Sequence, residues 1–440
     1  MNYFNTHIGL IFTSLALIVF GSSCEQPRPP VANPPASNTA VNTASAVNSQ
    51  PQAPPSAGAN LPVTMPLLDA MFGDESFGTE AKTQLQLTDE ELSRVRDAAR
   101  NSVLELGSDA ADDDARSTRN SVEKTRKKIE EIIGAEKTER FFGLVRNRWS
   151  AGSQELALSR PNEVPTDTRV VVNAPAYRMD LFKDGQLVKT YKIGIGYPEF
   201  PLPTGLRKAN EIIFNPTWTP PDEPWVKGKV QPGRKVEAGS KLNPLGPIKI
   251  PIGLPSLVHG GKDASKLGTF ASHGCVGLTS PMVQDFAVQL SSLSGAPISL
   301  DEVKGYEKNK TETKEVKLTN AVPVELRYET IVVQNGSVMI YRDVYERGTN
   351  TEENLRKVLE SYGVNFDQLP ETERSQLLDA LTQMAVDASG KAVEEESDTK
   401  TKKNTSKTVT RNIKGKKEIA VAVAGLRGKG YPQPVGLAAN

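Results

Sequence analysis

Two cysteines and three histidines are all that this chain of 440 residues carries. Cys24 lies in the first segment, so Cys275 stands alone in the body of the chain and no disulfide framework is expected to hold the fold. Neither sign of charge is in excess, with 53 basic and 53 acidic residues, which leaves no basic field for nucleic acid. Aromatic residues make up only 6% of the chain, while 31 prolines and 34 glycines predict loops and linkers. The apolar run Ile8–Phe20 is too short to cross a bilayer, which takes about 20 residues. Its length suits the core of a signal peptide.

That run ends in Gly21-Ser22-Ser23-Cys24, small residues leading to a cysteine, an arrangement that resembles a bacterial lipoprotein processing site. Lipidation at Cys24 is the expectation, giving an exported protein of the cell envelope or periplasm that is lipid-anchored to a membrane. The first twenty residues lack Lys and Arg, and Gly21 stands where such sites carry a larger apolar residue. A plain secretion signal is therefore the alternative, and export follows from both. Residues 25–60 are rich in Pro, Ala, Asn, Ser and Thr without an aromatic, so they cannot bury enough apolar surface to fold and read as a disordered tether.

Residues 61–150 read as a helical region. Thr88-Asp89-Glu90-Glu91 is a capping box, followed on one face by Leu92, Val95, Ala99, Val103 and Leu106. A second helix carries Val122, Ile129, Ile132 and Ile133 and ends at Gly134, and a third apolar stretch holds Phe141, Phe142, Leu144, Val145 and Trp149. No chemistry is visible there, and a scaffold is the expected role, with partner binding as the alternative. From about Thr168 the pattern alternates. Strands are predicted over Arg169–Val172, Tyr177–Phe182, Leu187–Ile195, Glu211–Phe214, Ile248–Ile250, Leu257–His259, Cys275–Leu278 and Ile298–Leu300, and Thr279-Ser280-Pro281 opens a helix through Leu290. Lys304–Lys317 reads as a charged connector, and Val322–Val333 as a strand that turns at Asn335-Gly336 into Ser337–Tyr341. Helices follow at Glu353–Tyr362 and Glu371–Ala385. The end, 386–440, reads as a mostly disordered tail, with folding of the apolar patch Ile419–Val423 and the Gly/Pro-rich end back onto the body left open.

The scarce reactive side chains converge on Ser256–Leu278. His259 is followed by Gly260 and Gly261, and Ser272-His273-Gly274 leads into Cys275. A thiol with an imidazole to deprotonate it is the arrangement of nucleophilic catalysis. A glycine directly before the cysteine lets the backbone approach a substrate carbonyl without a clashing Cβ. Two rival readings exist. His259, His273 and Cys275 have the chemistry of three zinc ligands, and a buried inert cysteine with two surface histidines would need no function at all. Neither accounts for the flanking glycines. No metal and no cofactor are expected.

From about Arg169 to Val303 the chain resembles the catalytic domain of the L,D-transpeptidases, cysteine enzymes that cross-link bacterial peptidoglycan. His259 and Ser272-His273-Gly274-Cys275 carry the resemblance, supported by Pro203-Thr204-Gly205, by Asn215-Pro216-Thr217-Trp218-Thr219-Pro220 and by Asn243-Pro244-Leu245-Gly246. Val322–Gly348 resembles the hairpin that follows this domain in larger members. The resemblance implies a mainly-β sandwich catalytic domain at 165–303; with the helical region before it, a C-terminal hairpin and helices at 318–385 and disordered ends, the expected fold class is α+β. It implies Cys275 as nucleophile and His259 as base, with the Gly260 carbonyl holding the ring. The backbone N–H groups of Gly274 and Cys275 would form an oxyanion hole, with His273 and Ser272 shaping the pocket. The substrates implied are peptidoglycan stem peptides, as donor and acceptor. Trp218 and Gly277 are further candidates for substrate contact, and Gly277 departs from the arginine or asparagine common there. Lys249, Lys262 and Lys266 are candidates to replace its charge. A stem amine, a protein lysine or water could resolve the acyl-enzyme. A non-catalytic tether binding the wall is the competing class.

Overall fold

The computed structural model describes residues 61–104, 114–116, 118–151, 162–220, 226, 230–231, 233–253, 256–386, 408–410, 413 and 415–437. The signal segment with Cys24, the 25–60 tether, Leu106 and most of the region 387–407 lie outside them.

The helical region is built from α1 (Met65–Phe72), α2 (Glu75–Leu85) and α3 (Asp89–Leu104). A short strand β1 (Asp114–Arg116), α4 (Thr118–Ile133) and α5 (Ala135–Ala151) complete it. Each start has a local cause. Thr64 accepts from the Leu67 N–H and Pro66 occupies the first turn, where its missing N–H costs nothing. At α3 the Thr88 and Glu91 side chains each take the other's backbone N–H, the reciprocal capping box. Gly134, at φ +79°, separates α4 from α5. The apolar faces bury Leu68, Phe77, Val95, Ile129, Phe141 and Phe142 in one core.

The next elements are β2 (Arg169–Asn173), β3 (Arg178–Lys183), β4 (Gln186–Lys192), β5 (Ile195–Gly196), β6 (Gly205–Phe214), β7 (Ile248–Pro251), β8 (Leu257–His259), β9 (Phe270–Ser272) and β10 (Val276–Gly277). They are followed by α6 (Ser280–Leu293), α7 (Leu300–Lys308) and β11 (Lys314–Arg327). Eight strands form one sheet in the order β10-β8-β7-β6-β11-β2-β3-β4, and β5 pairs with β9 in a second, two-stranded sheet. Val258, Val276, Ile248 and Ile250 point into the main core, where Phe286 and Leu290 of α6 pack. The α+β architecture expected from the sequence is the one the chain adopts, and most predicted strands fall where the alternation placed them.

Four expectations fail for identifiable reasons. Leu187–Ile195 is not one strand: β4 ends at Lys192, and Ile195 joins Phe270 in the second sheet. Ile298–Leu300 is not a strand either. Ser299 caps α7 by a capping box with Glu302, a local signal that outweighs two apolar residues. The charged connector is therefore α7 and the start of β11. β11 itself lies inside the main sheet, antiparallel to β6 and parallel to β2, rather than in a separate hairpin. Its charged residues misled the reading because two are buried as partners: Glu325 accepts from Arg327 Nε at 2.9 Å and from Arg169 on β2 at 2.8 Å.

The hairpin at Asn335-Gly336 is formed by β12 (Ile331–Gln334) and β13 (Ser337–Tyr341), ahead of α8 (Glu352–Ser361) and α9 (Glu371–Met384). After β14 (Thr408–Thr410), which pairs with β1, comes β15 (Glu418–Ala422) on the free edge of β13. Residues 415–437 are thus not a disordered tail. Tyr431 is buried edge-on against Phe182 at 5.7 Å, with the Arg178 guanidinium over its ring.

Candidate active site

Strand register decides which side chains share a face. β8 and β10 run parallel with Val276 beside Val258 and Gly277 beside His259. Side chains alternate along a strand. Because Val258 and Val276 enter the core, His259 and Gly277 occupy the opposite face, and Cys275 lies in the bend directly before β10. Lys249 of β7, in register with His259, shares the face of His259 and Gly277.

His259 is buried, with only 3% of its surface exposed. Its Nδ1 lies 2.7 Å from the Gly260 carbonyl oxygen. A carbonyl only accepts, so Nδ1 carries the proton and Nε2 keeps the lone pair. Burial, with the Lys262 charge adding to it, pushes the imidazole down to about 3, against the raising effect of the Gly260 and Leu245 carbonyls. The ring is neutral near pH 7. The loop Asn243–Gly246 holds this corner. Gly246 adopts φ +67°, and a Cβ there would lie 2.5 Å from the Gly261 nitrogen, so only glycine permits the approach.

Cys275 is half-buried with a free thiol. Burial raises the thiol above its ordinary range, while the Leu257 backbone and the Lys262 charge pull it down. Ser272 pins the turn before it: its Oγ accepts from the Cys275 N–H at 3.0 Å and donates to the Cys275 carbonyl at 2.6 Å. One of the two expected oxyanion donors is therefore engaged within the turn. Gly274 sits at φ +91°, its carbonyl bonded by Ser256 Oγ at 2.9 Å. The 196–200 turn approaches so closely that a Cβ on Gly196 would meet the Gly274 nitrogen at 3.2 Å.

His273 is half-buried between Tyr197 and Phe200, each edge-on at 5.1 and 4.8 Å. The turn carrying these aromatics is braced from the C-terminal side. Tyr345 donates to the Gly196 carbonyl and accepts from the Leu202 N–H, both at 3.0 Å. It is braced from the helical side as well, where Thr64 Oγ1 donates to the Glu199 carbonyl at 2.9 Å and Thr118 Oγ1 to that of Pro198 at 2.7 Å.

A cavity of ≈ 510 Å³ opens beside His273 and Gly274, within the size range of ligand sites. One wall is Phe200, Pro201 and Pro203; the other is Leu67, Ala70 and Phe72 of α1 with Arg96 and Arg100 of α3. Arg100 pairs with Asp69 at 3.1 Å. The structure thus gathers His259, Gly260, Ser272, His273, Gly274, Cys275 and Gly277 into one region. Trp218 lies in the loop after β6, bridged to Val236, and like His259 and Cys275 it does not line that cavity. Gly277 is buried under the Lys262 side chain rather than open. Among the described residues no three His, Cys, Asp or Glu side chains gather to hold a metal ion. Sequence reasoning missed Tyr197, Phe200, Tyr345 and the α1 and α3 wall. The aromatics flanking Pro198 were a usable signal; the wall residues carried none.

Residues 167–311 match the model of the YkuD family, the L,D-transpeptidase catalytic domain. Solved structures similar to the chain include the catalytic domain of the E. faecium L,D-transpeptidase, at 16% identity over 38% of this chain and 100% of that one, TM-score 0.23. The L,D-transpeptidase from Mycobacterium smegmatis is 16% identical over 36% of this chain and 58% of that one, TM-score 0.23. The Ldtfm–avibactam carbamoyl enzyme is 18% identical over 37% of this chain and 49% of that one, TM-score 0.22. The chain spans about half the length of these last two. No curated protein matches it. Over 167–311 the chain is thus similar to the L,D-transpeptidase catalytic domain.

Proposed function

We propose that the protein is an L,D-transpeptidase of the cell envelope that forms peptidoglycan cross-links through a thioester on Cys275. The observation that carries the reading is a neutral His259, its Nδ1–H pinned to Gly260, at the end of the strand that pairs with β10, the strand Cys275 directly precedes. His259 Nε2 takes the Cys275 proton, and the thiolate attacks the carbonyl carbon of the third stem residue. The C–N bond to the terminal D-alanine breaks, and its amine leaves with the proton from His259. An acceptor amine then attacks the thioester, gives its proton to His259, and returns Cys275 to the thiol as the new amide forms.

Negative charge on the carbonyl oxygen falls first to the Gly274 N–H, since the Cys275 N–H is engaged by Ser272. A preorganised donor of this kind contributes about 3–4 kcal/mol. Ser272 and His273 set the turn and the pocket wall. The cavity between His273 and the helices is the space in which a stem peptide lies, and Gly260 and Gly277 act through the backbone and Lys262. Lipidation of Cys24 would tether the domain to a membrane across the 25–60 segment.

The test is product analysis. Purified peptidoglycan fragments with a tetrapeptide stem, incubated with the protein, are expected to give cross-linked dimers and free D-alanine by mass spectrometry. Release of D-alanine with tripeptides alone would make it a carboxypeptidase. A product joined to a protein lysine would make it an attachment enzyme, and no product with retained wall binding would make it a tether.

A further inference from the structure

Among the described residues, Lys262 is the one whose side chain lies nearest a Cβ at the Gly277 position. It follows the Gly260–Gly261 turn at the end of β8, and its N–H donates to the Leu278 carbonyl at 3.0 Å, which ties it to the end of β10. Its side chain runs along Gly277. A Cβ at 277 would lie 2.9 Å from Lys262 Cγ, 3.1 Å from Cε and 3.5 Å from Cδ. Gly277 stands beside His259 in the register, and Cys275 lies two residues earlier in the chain, directly before β10. The half-buried ammonium is thus led toward both reactive groups.

We propose that Lys262 is the cationic partner of the Cys275 thiolate, occupying the space that the missing side chain at 277 leaves open. The thiolate that forms when His259 takes its proton is then held by an ammonium as well as by the imidazolium. The proposal rests on the reading above only in taking Cys275 as the nucleophile. His259 cannot be the resting cation, because its buried ring is neutral at pH 7. It remains the proton acceptor, and Lys262 takes no part in the proton transfer. Other charged groups at this face are Lys249 of β7, in register with His259, and Lys266 on the Ala264–Lys266 turn. Lys266 and burial depress the Lys262 ammonium, and Cys275 acts in the opposite sense.

The test is alkylation of Cys275 by iodoacetamide across pH, read by intact mass on the full chain. An opposite charge shifts such a group by about one to three pH units, so Lys262→Met should raise the midpoint by at least one unit. Lys262→Gln, which keeps a polar end, should do the same, and either variant suffices if the other fails to fold. Lys262→Arg should bring the midpoint back toward the parent. An unchanged midpoint in the neutral variants would overturn the proposal, as would an equal rise in Lys262→Arg, since packing rather than charge would then be responsible. Alkylation needs no stem peptide. A protein that passes this test yet gives no peptidoglycan product would refute the transpeptidase reading and leave Lys262 its role.

Discussion

The two faces of the candidate site differ in how they are made. On the sheet side, His259 ends β8 and Cys275 directly precedes β10, elements three and two residues long, fixed by register, by Ser272 and by glycines that allow close backbone approach. On the helical side, α1 and α3 offer Leu67, Ala70 and Phe72 with the Asp69–Arg100 pair, held in place by Thr64 and Thr118 on the Glu199 and Pro198 carbonyls. Chemistry needs particular atoms at particular places, whereas a wall needs only shape. Damage to the first face should therefore stop the reaction, and damage to the second should change which molecules reach it.

The largest effect expected on the sheet face short of removing the thiol is that of His259→Ala. Acylation of Cys275 should slow by about a few hundred-fold. The parent should show no break near pH 6.5, because the ring is neutral at all pH values above about 3. In the variant the residual rate should climb with pH as free thiolate replaces assisted deprotonation. A parent rate that halves as pH falls through 6.5 would mean that His259 titrates as an exposed imidazole.

Next in size is a break in the sheet itself. Glu325 is buried between Arg169 and Arg327, which hold its carboxyl below the ordinary range against the raising effect of burial. Glu325→Ala removes one partner from each guanidinium group and should cost near the lower end of about 3–5 kcal/mol, since Arg169 keeps Asp167 and Arg327 keeps Glu329. Chemical denaturation measures it. A loss confined to the C-terminal hairpin, with Cys275 reactivity intact, would mean that β11 is not integral to the catalytic sheet.

The smallest of the three probes the wall. Ala70→Phe projects into the cavity and should lower kcat/KM for peptide donors about tenfold, with iodoacetamide alkylation of Cys275 unchanged. Equal kcat/KM would restore the helices to the scaffold role that their sequence suggested.

What was legible follows the same division. His259, Cys275 and their glycines could be read because rare residue types stand in a short, specific stretch. Capping signals gave α3 and α6, and alternation gave β2, β3, β7 and β8. The wall was not legible because Leu67 and Ala70 look like any residues of an amphipathic helix, and only tertiary packing turns them toward His273. The place of β11 was hidden for a related reason. Glu325 and Arg327 read as solvent-facing until Arg169, more than a hundred positions earlier, supplies the partner that makes their burial tolerable. Ser299–Glu302 was readable as a cap, but the flanking Ile298 and Leu300 were weighed as a strand.

The central claim is the thioester, and intact mass of the protein incubated with a tetrapeptide donor tests it most directly. The account predicts an adduct of the donor less its terminal D-alanine, located on Cys275, absent in Cys275→Ala and nearly absent in Cys275→Ser, whose hydroxyl is far less acidic. An adduct that persists in Cys275→Ala would contradict it.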